Sequence, residues 1–300
     1  MNLRIDFAFK QLFGTNGSED ILIAFLNAML QESLESPIAS LQLEDPHLHR
    51  EHANDKLSIL DISATLDTGT QVNVEIQLNN NHDMMKRSLY YWGKLYKSQL
   101  QKGMPYSALR KTITINLLNF IMFLDHKEFH TTGTLWNTQQ QKLLSDDIEI
   151  QKLTEQWHEE KVNPWKDPFV RWLLLLSANE DEHLTKLLED IAMNQDPILQ
   201  KAINKWERMS QDSAFRQAYD AREKVLMDEA AKFAHAETEG MKRGMEKGLE
   251  QGIEKGRKEG VQQGKIQMIK SMYDLGIPLE TIAKASKLSL HEVEHILGHK

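Results

Sequence analysis

Residues 57–78 read LSILDISATLDTGTQVNVEIQL, and this segment predicts a β-hairpin. Apolar residues alternate with polar residues before and after a central turn, which is the period-2 pattern of half-buried strands. The turn is Asp67-Thr68-Gly69, where glycine can adopt the positive φ that tight hairpin turns require. The alternating apolar residues are Leu60, Ile62, Ala64, Leu66, Val72, Val74, Ile76 and Leu78.

The parity of this alternation fixes the register of the hairpin. A two-residue loop would turn the apolar set of one strand toward the wrong face. A three-residue loop, residues 67–69, keeps both apolar sets on one face. In this register Asp61 lies directly opposite Glu75, with Cβ atoms about 4.5–5.5 Å apart, and Gln77 lies on the same face. The apolar pairs that it predicts are Leu60–Ile76, Ile62–Val74 and Ala64–Val72.

The facing carboxylates of Asp61 and Glu75 have two interpretations. Like charges directly opposite each other on neighbouring strands destabilise a sheet. A divalent cation would offset this repulsion, and Mg²⁺ prefers one or two carboxylates together with waters and phosphate oxygens. The alternative is a solvated polar face that carries two unfavourably placed charges. The hairpin residues alone leave both interpretations open.

The order of motifs along the chain resembles a known family. Asp61, followed after the hairpin turn by Glu75-Ile76-Gln77, resembles the D…ExQ variant of the PD-(D/E)XK nuclease motif. DFAFK at residues 6–10 and LFG at 12–14 resemble the amino-terminal motif of the recombination-promoting nuclease / putative transposase (Rpn) family. The likeness continues through Arg87, Tyr90-Tyr91, Gly103, Tyr106, the FRQAYDAR pattern at 215–222 and a glycine-repeat tail.

This resemblance implies a Mg²⁺-dependent or Mn²⁺-dependent DNA endonuclease associated with recombination or transposition. Asp61 and Glu75 would bind the metal, and Gln77 would complete the catalytic set. Gln77 stands where the wider superfamily has a lysine that steadies the nucleophile and the charge. Candidates to replace that charge or assist the site are Asp6, Lys10 and Lys56.

Two alternatives to an active enzyme stay open. One is a catalytically inactive nuclease fold that serves as a DNA-binding or transposition accessory protein. The other is an oligomeric scaffold in which the hairpin is merely structural.

A helix is predicted over residues 84–100. Arg87, Tyr91 and Lys94 share one face of it, and Tyr90 lies beside that face. In a nuclease this face would hold DNA phosphates, with Arg87 donating charge-assisted hydrogen bonds. An amphipathic helix with a solvated face is the alternative.

The order of elements predicts an α/β fold. Helices over residues 6–12 and 21–34 precede the hairpin, and Asp6 and Lys10 are predicted to pair at i, i+4. Strands over 112–120, 129–136 and 148–153 follow the next helix. These elements predict a mixed sheet followed by an all-helical C-terminal region, and the family resemblance implies that the core is restriction-endonuclease-like. The predicted domains are a nuclease-like domain with a helical extension (1–234), a glycine-repeat helix (235–266) and a small helix-turn-helix-like segment (267–300).

The glycine-repeat helix has glycine at every fourth position from Gly240 to Gly264. Each interior glycine costs a helix about 1 kcal/mol relative to alanine, so pairing with a second chain would offset a real deficit. We therefore predict a homo-oligomer formed through this helix, with a partly disordered linker as the alternative. The residues that would pair are Met241, Met245, Leu249, Ile253 and Val261.

Composition excludes several classes of function. The chain has 300 residues, a formal net charge of -8 and no cysteine. Disulfide frameworks, thiol catalysis and Cys-type zinc sites are therefore excluded. With an acidic balance, any DNA-binding surface must be a local basic patch. The start lacks a signal-peptide pattern and no apolar run could span a bilayer, so we predict a cytoplasmic protein without membrane contact.

Overall fold

A computed structural model describes residues 1–48, 58–78, 83–120, 129–154, 163–178 and 181–298. The chain divides into two compact units, Met1–Met227 and Asp228–Lys300. Across the described ranges, no helix is both long and apolar enough to cross a membrane.

The first unit contains a mixed β-sheet. In chain order the strands are β1 (Leu41–Leu43), β2 (His47–Leu48), β3 (Ser58–Ile59), β4 (Ile62–Leu66), β5 (Gln71–Gln77), β6 (Thr112–Leu118), β7 (His130–Asn137) and β8 (Lys142–Thr154). Among the described residues, six of these form one sheet in the order β1-β4-β5-β6-β8-β7, and β2 pairs with β3 separately. The β5–β6 and β6–β8 pairs are parallel and the other pairs are antiparallel.

Helices cover both faces of this sheet. In the first unit they are α1 (Asp6–Phe13), α2 (Glu19–Met29), α3 (Met84–Ser98), α4 (Pro168–Ser177), α5 (Glu182–Gln195), α6 (Pro197–Gln211) and the start of α7 (Ser213–Asp274). Two of them begin with an Asp-Pro pair, in which the aspartate side chain accepts a backbone N–H and proline occupies the first turn. Both features favour a helix start at that point.

The register of the hairpin confirms the parity argument. Ile62 lies opposite Val74, and Ala64 lies opposite Val72. Gly69 closes the three-residue loop with φ +82°, a conformation that glycine adopts at no steric cost. The sheet topology and the helices that follow it confirm the predicted mixed-sheet fold with a helical C-terminal region.

The second face of the hairpin is buried, so the prediction of half-buried strands is wrong. Helix α3 packs against this face, and Ser88 donates a hydrogen bond of 3.0 Å to Asn116 on β6. Glu75 is only 3% exposed as a result. The first face packs on the main core, which includes Phe9, Phe13, Phe25, Val72, Val74, Ile113, Ile115 and Trp172.

Leu60 departs from the predicted pairing with Ile76. The regular ladder begins at Ile62, and the amide of Leu60 donates to the carbonyl of Pro46. The Leu60 side chain packs with Tyr91 and Leu95 of α3 instead. The strand bends at Asp61, and the regular ladder stops at Ile62–Val74, two residue pairs short of the predicted Leu60–Ile76.

The second unit is helical. It contains the rest of α7 together with α8 (Leu279–Ser286) and α9 (Leu290–Leu297). Ile269, Ile282 and Val293 form its small core. Helix α7 continues unbroken through the glycine repeat to Asp274. Single glycines weaken a helix without blocking its hydrogen bonds, so the glycine repeat does not end it.

Candidate active site

The candidate site lies where the hairpin ladder ends, at Asp61 and Glu75. The backbone N–H of Asp61 donates to Oε1 of Glu75 at 3.2 Å. The backbone N–H of Ile76 donates to Oδ2 of Asp61 at 2.8 Å. The Asp61 carboxylate thus accepts a hydrogen bond from a backbone N–H of β5 where the ladder ends. These two bonds hold the predicted carboxylates beside each other.

Lys10 reaches this pair from α1. Its Nζ lies 2.9 Å from Oδ1 of Asp61, and the lysine side chain is one-third exposed. Gly14 ends α1 so close to the sheet that an added Cβ would lie 3.2 Å from Cγ1 of Ile62. The helix end is therefore seated on the residue next to Asp61. Lys56, the other lysine considered for this charge, lies outside the described residues.

Arg87 reaches the pair from α3. It donates a 3.1 Å hydrogen bond to Oε1 of Gln77 and approaches Oε2 of Glu75 at 3.7 Å. Its guanidinium also lies 5.2 Å from the centre of the Tyr91 ring, an arrangement that favours a cation–π interaction. Gln77 is thus hydrogen-bonded to the same arginine that approaches Glu75.

The remaining residues predicted for DNA binding divide into buried and accessible ones. Tyr91 is 7% exposed and packs beneath Arg87. Tyr90 is 42% exposed, and Nζ of Lys94 lies 5.0 Å from the centre of its ring. The accessible part of this helix face is therefore formed by Tyr90 and Lys94.

The surroundings of Glu75 change its pKa. Burial raises the pKa of Glu75 to about 8, and the negative charge of Asp61 contributes to this rise, while Arg87 opposes both effects. The favourable contacts of Glu75 therefore do not compensate for its removal from water beside a like charge. Additional positive charge at this place would stabilise the ionised form.

Three polar residues of this face were missed by sequence reasoning. Asn116 lies beside Glu75 in the parallel ladder, and Lys152 lies beside Asn116 on the next strand. Ser88 binds Asn116 from α3. Lys152 is buried, its Nζ contacts Sδ of Met85, and burial lowers its pKa. One indication was available, because Asn116 is an amide within β6, a segment whose other residues are β-branched or apolar.

The chemistry of these side chains fits a hard divalent cation. Each ionised carboxylate offers about four lone-pair positions, and the contacts described above use only part of them. Oxygen ligands suit Mg²⁺, which keeps several waters and needs few protein ligands. Within the described residues, no group of three or more His, Asp or Glu side chains forms a closed metal cage. These residues thus fit an open site in which Asp61 and Glu75 would be the protein ligands.

Asp6 does not form the predicted i, i+4 pair with Lys10. Both oxygens of Asp6 bind Arg222 of α7, at 2.9 Å from Nε and 2.8 Å from a terminal nitrogen. Lys10 pairs with Asp61 instead. The two charged residues of α1 therefore have partners on two different elements.

Comparison with known proteins identifies the family. A family profile described as PD-(D/E)XK nuclease family transposase matches residues 3–236. A search of curated proteins found no match. A search of solved structures also found none. Because the profile covers most of the chain and includes the whole hairpin site, the chain belongs to the PD-(D/E)XK nuclease family transposases, as its ordered motifs predict.

Proposed function

We propose that this protein is a DNA endonuclease that hydrolyses phosphodiester bonds with Mg²⁺ or Mn²⁺ during recombination or transposition. Family membership gives the chain a nuclease-like role in these processes, and PD-(D/E)XK nucleases typically use divalent metal ions. One observation carries the specific proposal. Asp61 and Glu75 are adjacent, buried or nearly so, and flanked by the cations Lys10 and Arg87.

Each residue of the site has a separate role in this proposal. Asp61 and Glu75 would hold the divalent ion, which supplies polarisation of the scissile phosphate and a lower pKa for the attacking water. Lys10 places a positive charge beside Asp61, where it stabilises negative charge that develops on the phosphate. Arg87 orients Gln77 and supports Glu75. Together these two cations stand in for the missing motif lysine.

The DNA backbone would approach over α3. Tyr90 and Lys94 are the accessible groups there, and Lys94 can bind a phosphate by charge. Tyr91 supports Arg87 from below and would not contact DNA itself. The contact is local, which suits a chain with a net charge of -8.

Self-association is the second part of the proposal. The apolar residues after the glycines of α7 are exposed, with Met241 at 72%, Met245 at 76% and Leu249 at 65%. A Cβ added at Gly240, Gly244 or the later repeat glycines would meet no atom within 4 Å, so the glycine row lies on open helix surface. A second copy of α7 would cover this row. Four residues turn a helix by about 400°, so the row advances about 40° each repeat and the two helices would wind around each other.

Metal-dependent nicking of supercoiled plasmid tests the proposal. The full chain should nick plasmid with Mg²⁺ or Mn²⁺ and should not do so in EDTA. Binding of DNA without nicking under any metal would favour the inactive accessory protein. Absence of DNA binding even at low salt would favour the oligomeric scaffold.

A further inference from the structure

Helix α1, which carries Lys10, is held by the first part of α7. Arg222 binds both oxygens of Asp6. Two further contacts lie on the same face of α7, at residues 215 and 219. Phe215 stacks on Phe7 with ring centres 5.0 Å apart, and the hydroxyl of Tyr219 accepts a 2.7 Å hydrogen bond from the backbone N–H of Asn2.

The charges on α1 create a choice of partner for Lys10. Asp6 and Lys10 stand four residues apart, the spacing at which an acid and a lysine pair on a helix. Helix α1 has only eight residues, and a helix this short is marginal without tertiary packing. Its neighbours in the fold, rather than the helix alone, therefore decide which acceptor its lysine binds. Asp6 and Asp61 are therefore competing acceptors for the same ammonium group.

Arg222 removes one of these competitors. Its planar guanidinium matches a carboxylate with two parallel hydrogen bonds, which a lysine cannot reproduce. The arginine beside it holds the pKa of Asp6 below its usual value despite partial burial. With both oxygens of Asp6 occupied, Asp61 is the acceptor that Lys10 binds, at 2.9 Å.

We propose that Arg222 is a positioning residue for the active site, which directs Lys10 to Asp61 by occupying Asp6. This inference rests on the proposed function for its catalytic consequence, although the choice of partner by Lys10 is a structural claim of its own. Arg222 touches neither carboxylate of the site. Its effect passes through the competition between Asp6 and Asp61.

Three variants of the full chain separate this mechanism from simple structural support. Arg222→Met releases Asp6 and should lower kcat for plasmid nicking on the order of tenfold, as misplacement of a catalytic group does, with KM for DNA unchanged. Asp6→Asn leaves no competing acceptor on α1, so Lys10 should keep Asp61 as its partner in that variant. The double variant Arg222→Met/Asp6→Asn should recover nicking to within about twofold of the native chain, a non-additivity expected for coupled residues. Arg216→Met, at an exposed arginine on the same helix, is the matched control.

Crystal structures of the same variants give a reading that does not depend on activity. In Arg222→Met, Nζ of Lys10 should lie within ion-pair distance of Asp6, and in the double variant it should return to Asp61. If Lys10 stays on Asp61 in Arg222→Met, or if the double variant nicks no better than Arg222→Met, the inference is wrong. Lys10 could change partner as expected while the native chain fails to nick plasmid with either Mg²⁺ or Mn²⁺. In that case the positioning role stands and the nuclease proposal fails.

Discussion

Replacing Glu75 by glutamine should stabilise the metal-free protein, and more so at high pH. Glutamine has the shape of a protonated glutamate and keeps an oxygen for the N–H of Asp61. Because the folded-state pKa of Glu75 is raised from 4.5 to about 8, the folded state holds this proton while the unfolded state releases it. The stability of the native protein therefore falls as pH rises from about 4.5 to about 8.

The size of this effect follows from the same pKa. Each pH unit is worth about 1.4 kcal/mol, so the rise from 4.5 to about 8 corresponds to a cost of about 5 kcal/mol above pH 8. Below pH 4.5 the carboxyl group is protonated in both states and the substitution changes little. A domain of 150–250 residues shifts its Tm by about 2–4 °C for each kcal/mol, so Glu75→Gln should raise Tm on the order of 10 °C at pH 8.

Thermal melting in EDTA at several pH values between 4.5 and 8 measures this dependence. The matched control is Glu149→Gln, since Glu149 is equally buried but pairs with Lys111 at 2.7 Å. That substitution breaks an ion pair and should lower Tm. Added Mg²⁺ should stabilise the native chain more than Glu75→Gln, because a ligand of the folded state raises stability by mass action. A Tm difference for Glu75→Gln that is negative, or the same at all pH values, would refute the reasoning.

Two further predictions concern helices α1 and α7. Gly14→Ala places a Cβ 3.2 Å from Ile62 and 3.1 Å from the carbonyl of Lys10. The free energy of unfolding should therefore fall by about 1–3 kcal/mol, and the nicking rate should fall with it. Unchanged melting and nicking would show that α1 has room to move. A chain truncated near Ala234 lacks the glycine repeat and should form a smaller oligomer by light scattering while it still nicks plasmid. Equal stoichiometry of both forms would make the tail a linker.

The sequence predicts the hairpin site well because its determinants are local. Period-2 alternation and a glycine at the turn are enough to place Asp61 beside Glu75. The burial of Glu75 was not predictable in this way. It depends on α3 and the parallel neighbour β6, which approach from outside the hairpin.

The ion-pair partners of the charged residues on α1 could not be predicted from local sequence spacing. Local spacing pairs Asp6 with Lys10, but the folded chain gives each a partner distant in sequence, Arg222 and Asp61. Ion pairs on the surface of a helix are worth only a few tenths of a kcal/mol, so tertiary partners easily override them. The continuity of α7 is a similar case, because the glycine penalty is real but does not mark where a helix ends.

The most direct test of the proposed active site is plasmid nicking by Asp61→Ala and Glu75→Ala, each with Mg²⁺ and with a parallel melting curve. Both variants should fold and lose at least about 100-fold in nicking rate, since even residues that only support metal ligands contribute 10–100-fold. Glu44→Ala, at an exposed carboxylate near the hairpin, should nick like the native chain. Native activity in either Asp61→Ala or Glu75→Ala would contradict the assignment of catalysis to this site.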